Sequence, residues 1–183
     1  MTLCYIVSKS HKSKLLQDYT RLAPYYDNSN PPVWQEVREL LSDIEPGISV
    51  LDIGCGTGRV RQAMPAMIDY TGIDNSPELI AIARRHYPRD KFLIADARAL
   101  PFPDNTFDAV LAIAVAHHFM KRSERLLLWA EARRVLKDGG WLYATVWNLN
   151  RPRFWKQWRG WRRVLVPNRN EPNIKRQYYV YSL

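Results

Sequence analysis

The strongest chemical signal in the chain is the run Val50-Leu51-Asp52-Ile53-Gly54-Cys55-Gly56-Thr57-Gly58-Arg59. Glycines at alternate positions allow positive φ and place no Cβ in the way, so a ligand can lie directly against the main chain. A dinucleotide loop reads G-x-G-x-x-G, with a pyrophosphate on the helix N-terminus. Here the third glycine comes one residue early and Arg59 stands in its place, so the pattern is G-x-G-x-G. Asp52, two residues before the first glycine, adds a carboxylate that repels a pyrophosphate and attracts a cation. S-adenosyl-L-methionine carries both an ammonium and a sulfonium, and the loop favours that cofactor over NAD.

Two further acids fall in register with it. Asp74 lies 20 positions after Gly54, where a carboxylate can accept from both hydroxyls of a ribose. Asp96, followed by the small Ala97, can accept from an adenine amino group while a backbone N–H reaches a ring nitrogen. His117 and His118 follow an apolar run and are weak candidates for catalysis: one could stack on adenine or position substrate, and the other could simply pack.

These residues need a scaffold that brings them to one edge. The pattern predicts strands at 49–53, 70–74, 91–95, 107–115 and 141–147, alternating with helices at 33–41, 59–67, 77–86 and 123–136. Ser76 and Pro77 have the chemistry of a helix start, and Asp138-Gly139-Gly140 that of a helix stop. Such alternation gives a parallel α/β sheet with right-handed crossovers. Ligands in these sheets sit beyond the carboxyl ends of the strands, at the switch in strand order. The glycine loop, Asp74, Asp96 and His117 all follow strand ends. A helix over 14–26 reads as a lid above the crevice or as a helix packed on the sheet, and residues 27–32 break it.

At 183 residues and 46% hydrophobic content the chain supports one domain with a full core. Cys4 and Cys55 do not form a disulfide framework, which suits a reducing cytoplasm. No stretch approaches the length of a transmembrane helix. The net charge of +9 is concentrated in residues 151–183, where nine Lys and Arg face the single acid Glu171, a net of +8. A polyanionic partner for that segment follows, either nucleic acid or an anionic membrane surface.

Taken together, Leu51 to Gly58, Gly72-Ile73-Asp74-Asn75-Ser76, Ala95-Asp96-Ala97, Leu100-Pro101-Phe102-Pro103-Asp104, Phe107-Asp108 and Arg134 to Gly140 resemble the class I S-adenosylmethionine-dependent methyltransferases over about residues 33–147. Ile113 to Phe119, Tyr143 to Trp147, Arg176 to Tyr181 and the run Ala23-Pro24-Tyr25-Tyr26-Asp27 are similar to the subgroup that esterifies the 5-carboxymethyl group of tRNA wobble uridine. The resemblance implies cofactor contacts from Asp52, Gly54, Cys55, Gly56, Gly58, Asp74, Asn75, Asp96, Ala97, Ala114 and His117, and no metal. It also implies a tRNA substrate and a small activator protein. The fold expected is a Rossmann-like sheet of about five strands flanked by helices, lacking the last helix and strand pair of the usual seven strands. Trp141 to Trp147 is then an open edge for residues 174–182, a second copy or a partner chain to cover. The domains expected are an N-terminal lid at 1–32, a cofactor-binding core at 33–150 and a basic aromatic segment at 151–183.

That last segment reads as a helix over 151–166 with Phe154, Trp158, Trp161 and Leu165 on one face. It packs on the sheet, binds RNA, or lies at a membrane surface. Tyr26, Arg151, Arg153, Trp155, Arg159, Arg162 and Arg163 are the candidate substrate or RNA contacts. Three functions remain open on the sequence: methylation of tRNA, methylation of a small molecule or lipid quinone, and a cofactor-binding subunit that needs a partner for catalysis.

Overall fold

The computed structural model describes Tyr19, residues 22–26 and 32–146, and the backbone of two strands at 163–167 and 175–179. Its centre is a five-stranded sheet of β1 (Ser49–Ile53), β2 (Asp69–Asp74), β3 (Lys91–Ile94), β4 (Phe107–Ala112) and β5 (Leu136–Ala144), in the order β3-β2-β1-β4-β5. Every pairing is parallel. The strand order turns back between β1 and β4, which places the ligand crevice at their carboxyl ends.

Both faces of the sheet are covered, so β1 reads as a nearly continuous apolar run rather than an alternation. On one face Val50, Tyr70, Phe92, Ala109 and Leu111 pack with Val37 and Leu41, with Val60, and with Ile80 and Ala83. Those partners come respectively from the region of α2 (Gln35–Leu40), from a 3-10 turn at Arg59–Ala63 and from α3 (Pro77–His86). On the other face Leu51, Ile53, Ile73 and Val110 meet Leu128, Ala132 and Val135 of α4 (Arg122–Val135). Each fully buried aliphatic side chain here contributes about 2 kcal/mol. The helical residues 22–26, α1, carry Ala23 against Leu79 and Ile82 of α3.

Several boundaries depart from the sequence reading. β4 stops at Ala112, not Val115, because Ala114 takes a left-handed φ of 59° and turns the chain into the short 3-10 segment Ala116–His118. Residues 59–63 form a 3-10 turn in place of a longer helix. Asp138-Gly139-Gly140 does not cap α4. The helix runs straight into Leu136, already extended and paired with Phe107, and the register then shifts before Trp141 pairs with Ala109. Gly140 is needed in this irregular stretch because a Cβ there would lie 2.7 Å from the Asp108 carbonyl oxygen.

Arg134 explains the charged end of α4. It donates to the carbonyls of Leu100 and Phe102 and pairs with Asp104 and Glu131, while Glu131 accepts from the Leu100 N–H at 2.7 Å. One guanidinium thereby fastens the loop before β4 to the helix after it.

Two expectations for the basic segment are corrected. Arg163–Pro167 forms a strand, β6, not the end of a helix, as the β-branched Val164 and Val166 and the closing Pro167 favour. Lys175–Tyr179, β7, pairs antiparallel with β6 and not with β5, so β5 remains the sheet edge among the described residues, with Trp141 69% exposed. The β7 backbone passes beside Ala116–His118. Residues 151–162, with Arg151, Arg153, Trp155, Arg159 and Arg162, lie outside the described residues. No helix among the described residues is long and apolar enough to cross a membrane.

Candidate functional site

The glycine loop leaves β1 with Gly54, Gly56 and Gly58 all at positive φ, 69°, 57° and 79°. The three glycines serve different ends. A Cβ on Gly54 would stand 2.5 Å from Val115 Cγ2, and one on Gly58 2.9 Å from Tyr87 Cδ2, so these two permit close packing. A Cβ on Gly56 would meet nothing within 4 Å. At that position the backbone faces open space, as a ligand lying on the main chain requires.

Asp74 closes the loop from the neighbouring strand. Its Oδ2 accepts from the Gly56 N–H at 3.1 Å and its Oδ1 from the Ser76 N–H at 2.9 Å. The Ser76 hydroxyl in turn caps α3 by accepting from the Leu79 N–H. Burial raises the Asp74 carboxyl above its usual range, and the two N–H donors oppose that rise. Asn75, next to it, is exposed, and Cys55 is buried beneath the loop with its thiol pushed up by burial.

Asp52 lies inside, 1% exposed, and accepts from the Tyr70 hydroxyl at 2.7 Å. The register explains the contact. Asp52 pairs with Gly72 on β2, and Tyr70, two residues before that glycine and so on the same face, reaches diagonally to it, while Phe92 and Cys55 fill the space beside Gly72. Burial raises the Asp52 carboxyl to about 7, against the Tyr70 hydrogen bond and with help from the Asp74 charge. It lies beneath the glycine loop, not on the surface of the crevice.

Asp96, after β3, is held by Arg98. The Arg98 Nε and backbone N–H reach Oδ1 at 2.9 and 3.1 Å, Nη2 reaches Oδ2 at 2.7 Å, and Nη1 reaches Glu124 of α4 at 2.8 Å. Both carboxylate oxygens already have donors, and Ala97 beside it is half-buried. Asp52 and Asp74 thus form a coupled pair at the β1 and β2 ends, while Asp96 belongs to a separate ion-pair network across the crevice.

At the β4 end, Ala114 occupies a conformation that costs a non-glycine residue about 1–2 kcal/mol, and its N–H donates to Thr145 Oγ1 at 2.9 Å. His117 is 2% exposed and lies 4.5 Å from the His118 ring centroid. His118 Nε2 is hydrogen-bonded to the Tyr19 hydroxyl at 3.1 Å, and the Tyr19 and Tyr26 ring centroids lie 6.4 Å apart. The N-terminal aromatics therefore pack on α3, and Tyr19 reaches the turn after β4. Tyr70, Arg98, Tyr19 and Thr145 were not singled out by the sequence.

A hollow of about 330 Å³ opens at the opposite end of the sheet, beside Asp43, Asp108, Lys137 and Trp141. Asp108 there is held by two donors, Lys137 Nζ to Oδ1 at 2.7 Å and the Ser49 hydroxyl to Oδ2 at 2.6 Å, which keep its carboxyl down at about 2. Among the described residues no cluster of His, Cys, Asp and Glu could hold a metal ion.

A parallel sheet of this order, with a G-x-G-x-G turn after β1 and an acid ending β2, defines a Rossmann-like methyltransferase of the S-adenosylmethionine-dependent class. The chain belongs to the methyltransferase domain family, which matches residues 51–144. Over 151 residues it is 37% identical to Probable tRNA methyltransferase 9B of Mus musculus, covering 81% of this chain and 32% of that protein. It is 33% identical over 133 residues to the tRNA (carboxymethyluridine(34)-5-O)-methyltransferase of Schizosaccharomyces pombe, covering 73% of this chain and 57% of that one. Among solved structures, the methyltransferase in a Haloferax volcanii complex with the Trm112 methyltransferase activator aligns with a TM-score of 0.64 at 26% identity, over 72% of this chain and 60% of that one. The chain spans about a third of the mouse relative's length.

Proposed function

We propose that this domain transfers a methyl group from S-adenosyl-L-methionine to tRNA, with the 5-carboxymethyl group of a wobble uridine as acceptor. The observation that carries the cofactor half is Gly56: positive φ, an N–H anchored on Asp74, and empty space where a side chain would be. The loop backbone at Gly54, Cys55, Gly56 and Gly58 would hold the amino-acid end, with Asp52 supplying field from below. Asp74 and Asn75 would serve the ribose, Asp96 and Ala97 the adenine edge, and Ala114 and His117 the floor. When bound, the cofactor supplies an electrophilic methyl on a positively charged sulfur.

The acceptor half rests on the activities for which the relatives are named and on the +8 segment. A carboxylate is already ionised at neutral pH, so its methylation needs alignment of oxygen, methyl and sulfur more than a general base. That suits a site in which His117 is buried and His118 Nε2 is hydrogen-bonded to Tyr19. Tyr26, Arg151, Arg153, Trp155, Arg159, Arg162 and Arg163 are the proposed RNA contacts, and cytoplasmic tRNA the proposed pool. A small activator protein or a second copy on an open sheet edge is the proposed partner, in keeping with the Haloferax volcanii complex.

The test is transfer of labelled methyl from the cofactor to bulk tRNA, with and without an added activator. Base-labile label at the wobble nucleoside is expected. Absence of label across a full tRNA set, with label in a lipid extract, would overturn the acceptor.

A further inference from the structure

Arg59 follows Gly58 and starts the 3-10 turn. Its guanidinium carbon lies 3.7 Å from the centroid of the Trp34 ring, and Trp34 is 46% exposed. The Tyr26 phenol of α1 is near enough to influence its charge. Stacking uses one face of a guanidinium, whereas its five N–H donors lie in the plane and point outward from the edge.

Those donors distinguish Arg59 from the other arginines drawn back from solvent. Arg61 donates to Asp90 and two carbonyls, Arg98 to Asp96 and Glu124, Arg125 to the carbonyls of Phe119 and Met120, and Arg134 to four groups. Among the described residues no acceptor meets Arg59. Partial burial works against its charge, so an anion placed on its free edge would relieve an existing cost. The planar fork matches a carboxylate in two parallel bonds.

We propose that Arg59, laid on Trp34 at the rim of the glycine loop and facing Tyr26, is a carboxylate-binding subsite of the crevice. This deepens the methyltransferase reading and rests on it. Two carboxylates fall within that reading, the amino-acid end of the cofactor and the carboxymethyl group of the acceptor. Trp34 acts by holding the guanidinium flat, so that its edge is presented to the ligand.

Calorimetry on the full chain separates the sources. Wild type, Arg59→Gln and Arg59→Lys are titrated with S-adenosylhomocysteine and with 5′-methylthioadenosine, which lacks the carboxylate. The same proteins are titrated with 5-carboxymethyluridine and with uridine. Arg59→Gln is expected to weaken one carboxylate ligand about tenfold or more while leaving its carboxylate-free counterpart within about twofold. Loss on S-adenosylhomocysteine assigns the cofactor, and loss on 5-carboxymethyluridine assigns the acceptor. Arg59→Lys keeps the charge without the fork and is expected to fall between, which keeps the test open if the glutamine variant does not fold. Wild-type binding of S-adenosylhomocysteine that neither variant alters, with 5-carboxymethyluridine also unaltered, overturns the subsite alone. A wild type that binds no S-adenosylhomocysteine overturns the cofactor reading and the subsite with it.

Discussion

The Tyr70 hydroxyl donates to Asp52 Oδ2 at 2.7 Å beneath the glycine loop, and neither side chain is more than 2% exposed. Stability should follow the Asp52 proton. The folded carboxyl titrates at about 7 against 3.8 unfolded, so between those values the folded state binds more protons. Stability is therefore full below about pH 4, falls as pH rises, and levels off above about 7. The loss from this group alone is on the order of 4 kcal/mol. Asp52→Asn should flatten the slope. Tyr70→Phe should cost about 1–3 kcal/mol, and more at pH 8.5 than at pH 5, since the hydroxyl favours the ionised form. Urea midpoints at the two pH values check both, and equal midpoints for wild type at pH 5 and 8.5 would refute the linkage.

The loop glycines should separate folding from binding. Gly54→Ala drives a methyl into Val115 and Gly58→Ala drives one into Tyr87, each on top of an unfavourable φ. Both should lower the melting temperature markedly. Gly56→Ala meets only the φ penalty, about 1–2 kcal/mol, yet puts a methyl where the ligand would rest. It should fold and lose S-adenosylhomocysteine binding by more than about tenfold. A Gly56→Ala protein with wild-type affinity would show that the ligand lies elsewhere.

Arg134 should behave as a structural fastener. Arg134→Gln leaves the Leu100 and Phe102 carbonyls and Glu131 without their donor, and a loss of about 2–4 kcal/mol is expected. Arg134→Lys should recover little, because an ammonium cannot reach four acceptors from one plane. The urea midpoint decides it, and a lysine variant as stable as wild type would contradict the geometry.

Much of the sheet was legible because period and turn chemistry agree: apolar strands, the Ser76-Pro77 helix start, and acids placed at strand ends. The glycine loop was readable for the same reason, since its spacing is a backbone requirement. Less visible were features set by tertiary neighbours. Ala114 takes a conformation alanine disfavours, held by Thr145 just past the end of β5, and no local pattern announces that. Asp138 to Gly140 reads as a helix stop but falls in an irregular part of β5, because Phe107 pairs with Leu136 and Asp108 with Lys137 just before it. Asp96 falls after β3 as its position suggests, but its pairing with Arg98, which also reaches Glu124 of α4, has no signature in the local sequence.

An acid that titrates close to neutrality under a ligand loop makes occupancy and proton traffic a single event. A cation settling above Asp52 and Asp74 lowers their affinity for hydrogen ions, so each binding step should acidify the medium, most strongly around pH 7. Heats measured in buffers of different ionisation enthalpy would then diverge, and affinity would climb with alkalinity.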